Sequence, residues 1–452
     1  MIRPRPVRVA LTALALVAVS QPVFAQSILR DAETEDFFRE MAKPLEAAAG
    51  LDPRSVQLVL VGDPSINAFV TGGQNVFVHS GLISVADNVN QLQGVVAHEL
   101  GHIAGGHNVR FNEGAGPATG ISILSLVLAG AAIAAGAGEA GAAILAGGQQ
   151  IALGKFLAFT RDQESRADQA GARFLEGAGE SGEGSIAFFK KIGYEEVRYG
   201  IAQTDSYART HPITSERISA LEEVYAKSPY WKTKPDAVLN ARFLRIKAKL
   251  TGFVEEPQRT FQLYPESDQS VPAHYARAYA YHKQGYQAKA TAEVDALLKT
   301  APNDPYFNEI QGQILLESGK VKEAIPPLRL AVSKAPDQPL IAALLGHALI
   351  STEDATDAAE AKAILKSAVA RDNTNPFAWY QLGIAYERDG DEPRAALASA
   401  ERFNLEGAPQ RALPSARRAM QGLKPGTPDF LRAQDIALVS EADLQKLKRD
   451  RR

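Results

Sequence analysis

The chain has 452 residues, 45% of them hydrophobic and 22% charged, with a formal net charge of −3. That composition is globular and supplies a sizeable core, and the length suggests roughly three domains. The balance of 49 Lys+Arg against 52 Asp+Glu argues against a dedicated nucleic-acid binder, and the absence of cysteine excludes disulfides, thiol nucleophiles, thiolate metal sites and iron–sulfur clusters. Any metal has to be held by His and carboxylates.

Arg3, Arg5 and Arg8 give a basic start, residues 9–19 are an apolar run too short to span a bilayer, and Val23-Phe24-Ala25 offers small residues to a signal peptidase. Residues 1–25 therefore read as a cleaved signal peptide, which leaves 46 basic against 52 acidic residues and a secreted, periplasmic chain. Residues 30–48 have the pattern of an acidic amphipathic helix. Three strands are expected at 56–61, 66–70 and 74–78, the last two joined through Thr71-Gly72-Gly73 as a hairpin. From Asn88 a helical pattern runs through His107.

Residues 114–138 carry no charge. A single membrane span here would separate the site residues described below, which lie on both sides of it. The segment is therefore either a hairpin in contact with a membrane, with 142–158 as its second limb, or a buried or mobile helical loop beside the site.

The C-terminal half repeats. Pro272, Pro305, Pro339 and Pro376 recur at 33, 34 and 37 residues, Gly312, Gly346 and Gly383 at 34 and 37, and Ala290, Ala324, Ala361 and Ala395 at 34, 37 and 34. Small residues at fixed places with Pro at unit boundaries indicate tetratricopeptide-type helix pairs stacked into a concave superhelix. The expected organisation is a mostly helical α+β chain: a first domain with a small β-sheet over 26–230, an α-solenoid over 235–408, and a capping helix and tail over 409–452.

The chemistry lies in His98-Glu99-Leu100-Gly101-His102. Histidines at i and i+4 of a helix are about 40° apart, so both can reach one zinc, and Glu99 is placed to act as general base on water. A catalytic zinc needs a third protein ligand and an open position. Asn108 stands where a metzincin has its third His, and His107 falls on the opposite side of a continued helix, which gives it a surface or packing role. Glu164, in Glu164-Ser165-Arg166-Ala167-Asp168, is the candidate third ligand, with Asp168 on the same helix face to accept the second N–H of a zinc histidine. His211 precedes Pro212 and so projects from a loop, from which it can donate to an oxyanion or occupy a fourth zinc position and close the site. Arg217 is suited to orienting a carboxylate that the sequence does not identify. The strand holding Asn67, Ala68 and Phe69 is either an ordinary core hairpin or an edge that pairs with extended substrate. His79, His274, His282 and His347 lack ligand spacing.

HELGH, then Glu164 to Asp168, then Thr210-His211-Pro212 with Glu216-Arg217-Ile218, together with Asn67-Ala68-Phe69, Gly72-Gly73 and Gly81-Leu82-Ile83, resembles the gluzincin metalloproteases of the CAAX-prenyl-protease and HtpX type. With a leader in front and repeats behind, the chain is similar to their BepA-like periplasmic branch. That resemblance implies an endopeptidase holding one zinc on His98, His102 and Glu164, with Glu99 as base and His211 able to plug the site. It also implies quality control of outer-membrane β-barrel proteins, with unfolded or stalled clients and the outer-membrane assembly machinery as partners. A chaperone or scaffold with latent proteolysis is the rival reading.

Overall fold

A computed structural model describes residues 27–107, 119, 121–129, 138–199, 211–352 and 354–450. The expected leader at 1–25 lies outside the described residues.

Asp31 opens helix α1 (Ala32–Ala48) by accepting from the Thr34 backbone N–H, and Glu33 and Glu35 in the first turn favour the positive end of the helix. Phe37, Met41 and Leu45, at helical spacing, are fully buried against the sheet. The sheet runs in the order β1 (Ser27–Ile28), β2 (Gln57–Gly62), β4 (Asn75–His79), β3 (Ala68–Thr71). Strand β2 pairs with β4 in parallel, and β3 pairs with β4 in antiparallel with Ala68 opposite Val78. The expected hairpin is present: Gly72 and Gly73 turn it with φ of 62° and 98°, values an L side chain adopts only under strain. A short helix, α2 (Ser80–Val85), then leads to α3 (Val89–Ala104), which Asn88 caps by accepting from the Gln91 N–H.

Helix α3 ends before His107. Gly105 is its C-cap and Gly106 takes φ of 63°, so the chain turns back at this point rather than continuing the helix. Helix α4 (Gly138–Ala178) crosses α3 closely: a Cβ on Gly101 would lie 2.6 Å from the Ala167 carbonyl oxygen, and one on Gly171 would lie 3.1 Å from the Ala97 carbonyl. Helices α5 (Glu183–Tyr199) and α6 (Ser215–Tyr225) complete the unit.

The uncharged stretch is helical over 121–129, and α4 runs beside it, with Gly148 packed on Ser125. This is the hairpin alternative, and its outer face is not core: Ile123, Leu124, Val127, Ile151 and Leu153 are all more than half exposed. By length and composition Ala142–Ala178 is able to cross a membrane. Its second half, however, is committed to the protease core through Ala167, Ala172 and Leu175. Residues 142–157 alone rise about 24 Å, short of a hydrocarbon core of about 30 Å.

The repeats follow as paired helices. Helix α7 (Ala237–Val254) and the short α8 (Pro257–Leu263) lead into α9 (Val271–Lys283), which pairs with α10 (Gln287–Thr300). Then come α11 (Pro305–Glu317) with α12 (Val321–Lys334), α13 (Pro339–Ile350) with α14 (Ala355–Arg371), and α15 (Pro376–Arg388) with α16 (Glu392–Leu405). The repeated prolines sit in the first turn, where no N–H is missed, and the repeated glycines at 312 and 346 receive Leu328 and Leu365. The three residues added to the third unit fall just after Asp354, the N-cap of α14, and lengthen that helix to 17 residues against 14 in α12 and α16. Beyond 408 the chain differs from one capping helix and a tail. It forms α17 (Pro409–Gly422) and α18 (Pro428–Asp450), packed on α16 through Ala412, Ala416, Ala419 and Ala433. Alanine builds that interface, so the apolar signal there is weak in the sequence.

Helix α7 belongs to both units. Phe243, Ile246 and Leu250 join the protease core, while its other side packs on α9. Across the same joint Lys249 pairs with Asp31 and, at 3.4 Å, with Glu33, whose carboxylate also accepts from the Tyr275 hydroxyl at 2.8 Å. Arg245 pairs with Glu33 and forks onto Asp304. Lys249 is 5% exposed, and Lys249→Ala leaves Asp31 without its cation and Glu33 with Arg245 and Tyr275 alone. We expect a loss of about 3 kcal/mol, read as a lower urea midpoint by circular dichroism.

Candidate metal centre

Helix α3 supplies His98, Glu99 and His102 from a face that is entirely buried, and α4 supplies Glu164 and Asp168 one turn apart. Both imidazoles turn Nε2 inward, and the two atoms are 3.1 Å apart. Glu164 Oε2 is 3.4 Å from His98 Nε2, and Glu164 Oε1 is 3.4 Å from His102 Nε2. His211, just ahead of α6, brings Nδ1 to 3.1 Å from Glu164 Oε1 and 3.4 Å from His98 Nε2. The four donor atoms all lie within 4.8 Å of one another, and all four residues are buried.

These separations have a direct reading. Nitrogen and oxygen ligands at 2.0–2.1 Å on the corners of a tetrahedron stand about 3.3 Å apart. The contacts given, which draw on both oxygens of Glu164, span 3.1–3.4 Å, close to that spacing, and the cluster suits one small ion. The charges agree. Glu99 is fully buried, neither carboxylate oxygen has a hydrogen-bond partner, and His211 Nε2 lies 3.6 Å from Oε1. Burial raises its pKa, against the opposing pull of His211 and His98. Glu164 goes the other way: burial disfavours its charge, but the three surrounding imidazoles outweigh that and hold it ionised. Burial drives the pKa of His102 down to about 3. For His98 burial is outweighed by Asp168 and Glu164, which raise it to about 10.

Asp168 Oδ1 lies 2.9 Å from His98 Nδ1, the nitrogen turned away from the cluster. The carboxylate that Arg217 orients is now identified. Its Nε and Nη2 fork onto Asp168 at 2.8 Å each, Nη1 donates to the Pro212 carbonyl at 2.7 Å, and Nη1 also lies 3.1 Å from Glu164. Arg217 thereby ties the His211–Pro212 segment to helix α4. Phe189 from α5 closes the floor, edge-on to His98 and under the guanidinium.

Asn67 is buried, and its carbonyl accepts from the His79 N–H at 3.0 Å. Ala68 and Phe69 begin β3, the last strand of the sheet, which packs on α3. His79 is buried among Ser65, Asp63 and Phe69, and His274 and His282 pair with Glu293 and Glu317 in the repeats. His107 departs from the expected place. It is 5% exposed, and its Nδ1 is 2.9 Å from His102 Nδ1. Helical geometry puts it on the far side only if the helix continues, and the Gly105-Gly106 pair was the sequence signal that it stops.

A family model described as peptidase family M48 matches residues 29–225. The chain is similar to the beta-barrel assembly-enhancing protease of Yersinia pestis, 28% identical over 77% of this chain and 71% of that protein. Its counterpart in Escherichia coli (strain K12) is 25% identical over 81% and 75%. The metalloprotease YcaL of the same organism is 28% identical over 41% and 67%. Among solved structures, the chain has a likeness to YrrB, a TPR protein with an unusual peptide-binding site, at 19% identity and a TM-score of 0.32, covering 44% of this chain and 96% of that one. Residues 29–225 are thus similar to peptidase family M48, and the protein that carries them on an array of paired helices is a metalloendopeptidase.

Proposed function

We propose that the protein is a periplasmic zinc endopeptidase in the assembly and quality control of outer-membrane β-barrel proteins, degrading clients that stall or misfold. The observation that carries the catalytic part is the convergence of four donor atoms beside the orphan carboxylate of Glu99. His98, His102 and Glu164 are the ligands we assign to one zinc per chain. The names of the relatives support the client class and the assembly machinery as partner. The leader-like residues 1–25 support the compartment.

When bound, zinc supplies Lewis acidity to the scissile carbonyl and to water. Glu99 takes the proton of the attacking water and delivers it to the leaving amine. A carboxylate whose pKa is raised by burial is the stronger base and holds the proton better in transit. Asp168 and Arg217 hold the ring of His98. Asn67, Ala68 and Phe69 are assigned to the strand beside which extended substrate lies. His211 Nδ1, which stands beside Glu164, would take the fourth ligand position of a bound zinc and leave none for water; we assign this arrangement to a latent state that withdrawal of His211 would open. The same closure favours the second reading, a chaperone or scaffold of the assembly machinery in which proteolysis is held latent. The exposed apolar limbs at 121–129 and 142–157 are assigned to peripheral membrane contact.

Zinc content and casein cleavage by the chain from Gln26 onward test the central claim. One zinc per chain is expected, with cleavage reduced about 10²–10⁴-fold in Glu99→Gln and increased in His211→Ala. Zinc without cleavage in any variant, unfolded barrel proteins included, moves the assignment to the scaffold; no stoichiometric zinc removes the site. Arg217→Ala leaves Asp168 without its fork, and a fall of about 10–100-fold in casein turnover is expected. Co-flotation with anionic phospholipid vesicles, lost when Leu124, Val127 and Ile151 are replaced by Ser, checks the membrane contact.

A further inference from the structure

The two histidines of α3 are supported unequally. His98 turns Nδ1 to Asp168, which is clamped by Arg217. His102 turns Nδ1 to another imidazole: His107 Nδ1 lies 2.9 Å away, the rings meet edge-on at 78°, and both residues are buried. This contact rests on the reading that His102 holds zinc through Nε2, the atom it shows to His98 and Glu164.

From that reading the protons follow. A neutral imidazole that ligates through Nε2 carries its proton on Nδ1. His102 Nδ1 is then the donor of the 2.9 Å bond, and His107 Nδ1 has to be the acceptor, with the His107 proton on Nε2. His107 therefore performs for His102 what Asp168 performs for His98, fixing both tautomer and ring angle. The loop is built for this. Gly105 ends α3, and Gly106 at φ of 63° returns the chain, so that residue 107 reaches back over the last turn. Gly105 itself has an ordinary helical φ of −75°, which any residue tolerates. What a side chain there does not find is room, since a Cβ would lie 2.7 Å from Cδ2 and 2.9 Å from Cε1 of His107. The glycine pair thus serves the position of the ring.

We infer that His107 is a positioning residue of the metal centre, accepting the Nδ1–H of His102 and holding that ligand in its metal-binding tautomer. Because an imidazole is a neutral acceptor, it orients His102 without the added charge that Asp168 lends His98.

The test is zinc affinity, measured by competition with a chromophoric chelator on the chain from Gln26 onward, beside casein turnover. His107→Phe keeps the ring volume and removes the acceptor, and zinc affinity should fall about 10–100-fold. His107→Asn places Oδ1 near the site of Nδ1 and should recover most of that loss, a rescue that a packing role does not give. Gly105→Ala leaves His107 in the sequence but displaces its ring, and should weaken zinc as His107→Phe does. Wild-type affinity in His107→Phe overturns the inference, as does an Asn variant no better than Phe, or an unaffected Gly105→Ala. Should His107→Phe fail to fold, as judged by circular dichroism, the Asn and Gly105→Ala arms still decide. Failure of the wild-type chain to bind zinc counts against the proposed function instead, and is read separately from the variants.

Discussion

The close crossing of helices α3 and α4 is the constraint on which the centre depends. His98 and His102 are fixed by one helix, Glu164 and Asp168 by another, and none of these side chains is long. They meet because Gly101 lies on Ala167 and Gly171 on Ala97, with no side chain between the backbones. Each glycine sits one turn or less from a residue of the site. A Cβ at either would push the helices apart by a fraction of an ångström or more, and ligands that must agree to a few tenths of an ångström would no longer converge. The sheet and α1 serve the same end by walling off the outer faces of these helices with Phe37, Met41, Val76 and Val78.

That dryness sets the electrostatics. Glu99, Glu164 and Asp168 are all buried in one pocket, and Arg217 is the guanidinium set against them. Carboxylates buried in excess of cations are unfavourable unless protonated or neutralised. Protonation is already the direction in which burial drives Glu99, whereas Glu164 and Asp168 are held ionised by their neighbours. A divalent cation among the four donors removes the imbalance and leaves Glu99 as the remaining base. The group we propose as the base is thus the one the pocket does not otherwise satisfy.

What the sequence discloses follows from how local the determinants are. The i, i+4 pairs at 98/102 and 164/168 are legible because a single helix fixes their geometry. The Gly72-Gly73 turn and the repeat register are legible for the same reason. The partner of Arg217 is not, because Asp168 is 49 residues away and is reached only through folding. His107 was placed wrongly by extending a regular helix two residues past its glycine cap. The last helix pair was hidden by its composition, since alanine faces bury well and score poorly. Hairpin and buried-loop readings of the uncharged stretch differ in what covers it, which no periodicity records.

The joint between the two units shows why a boundary drawn near residue 235 is a statement about sequence more than about packing. Helix α7 places Phe243 and Ile246 in the protease core while Arg245 and Lys249, on the same helix, reach Asp304, Asp31 and Glu33. Arg30 extends the contact to Asp372, two repeat units further along, and Asp36 accepts from Tyr306. Helix α1 is therefore held by the sheet and, through Asp36 and the neighbouring Arg30, by residues of the repeats. Charge pairs that are buried together define a single docking geometry, because any slippage leaves an ion uncompensated. Helices α1 and α7 both pack in turn against the helix that carries His98 and His102. The array is built as part of the peptidase's frame rather than as a tether behind it.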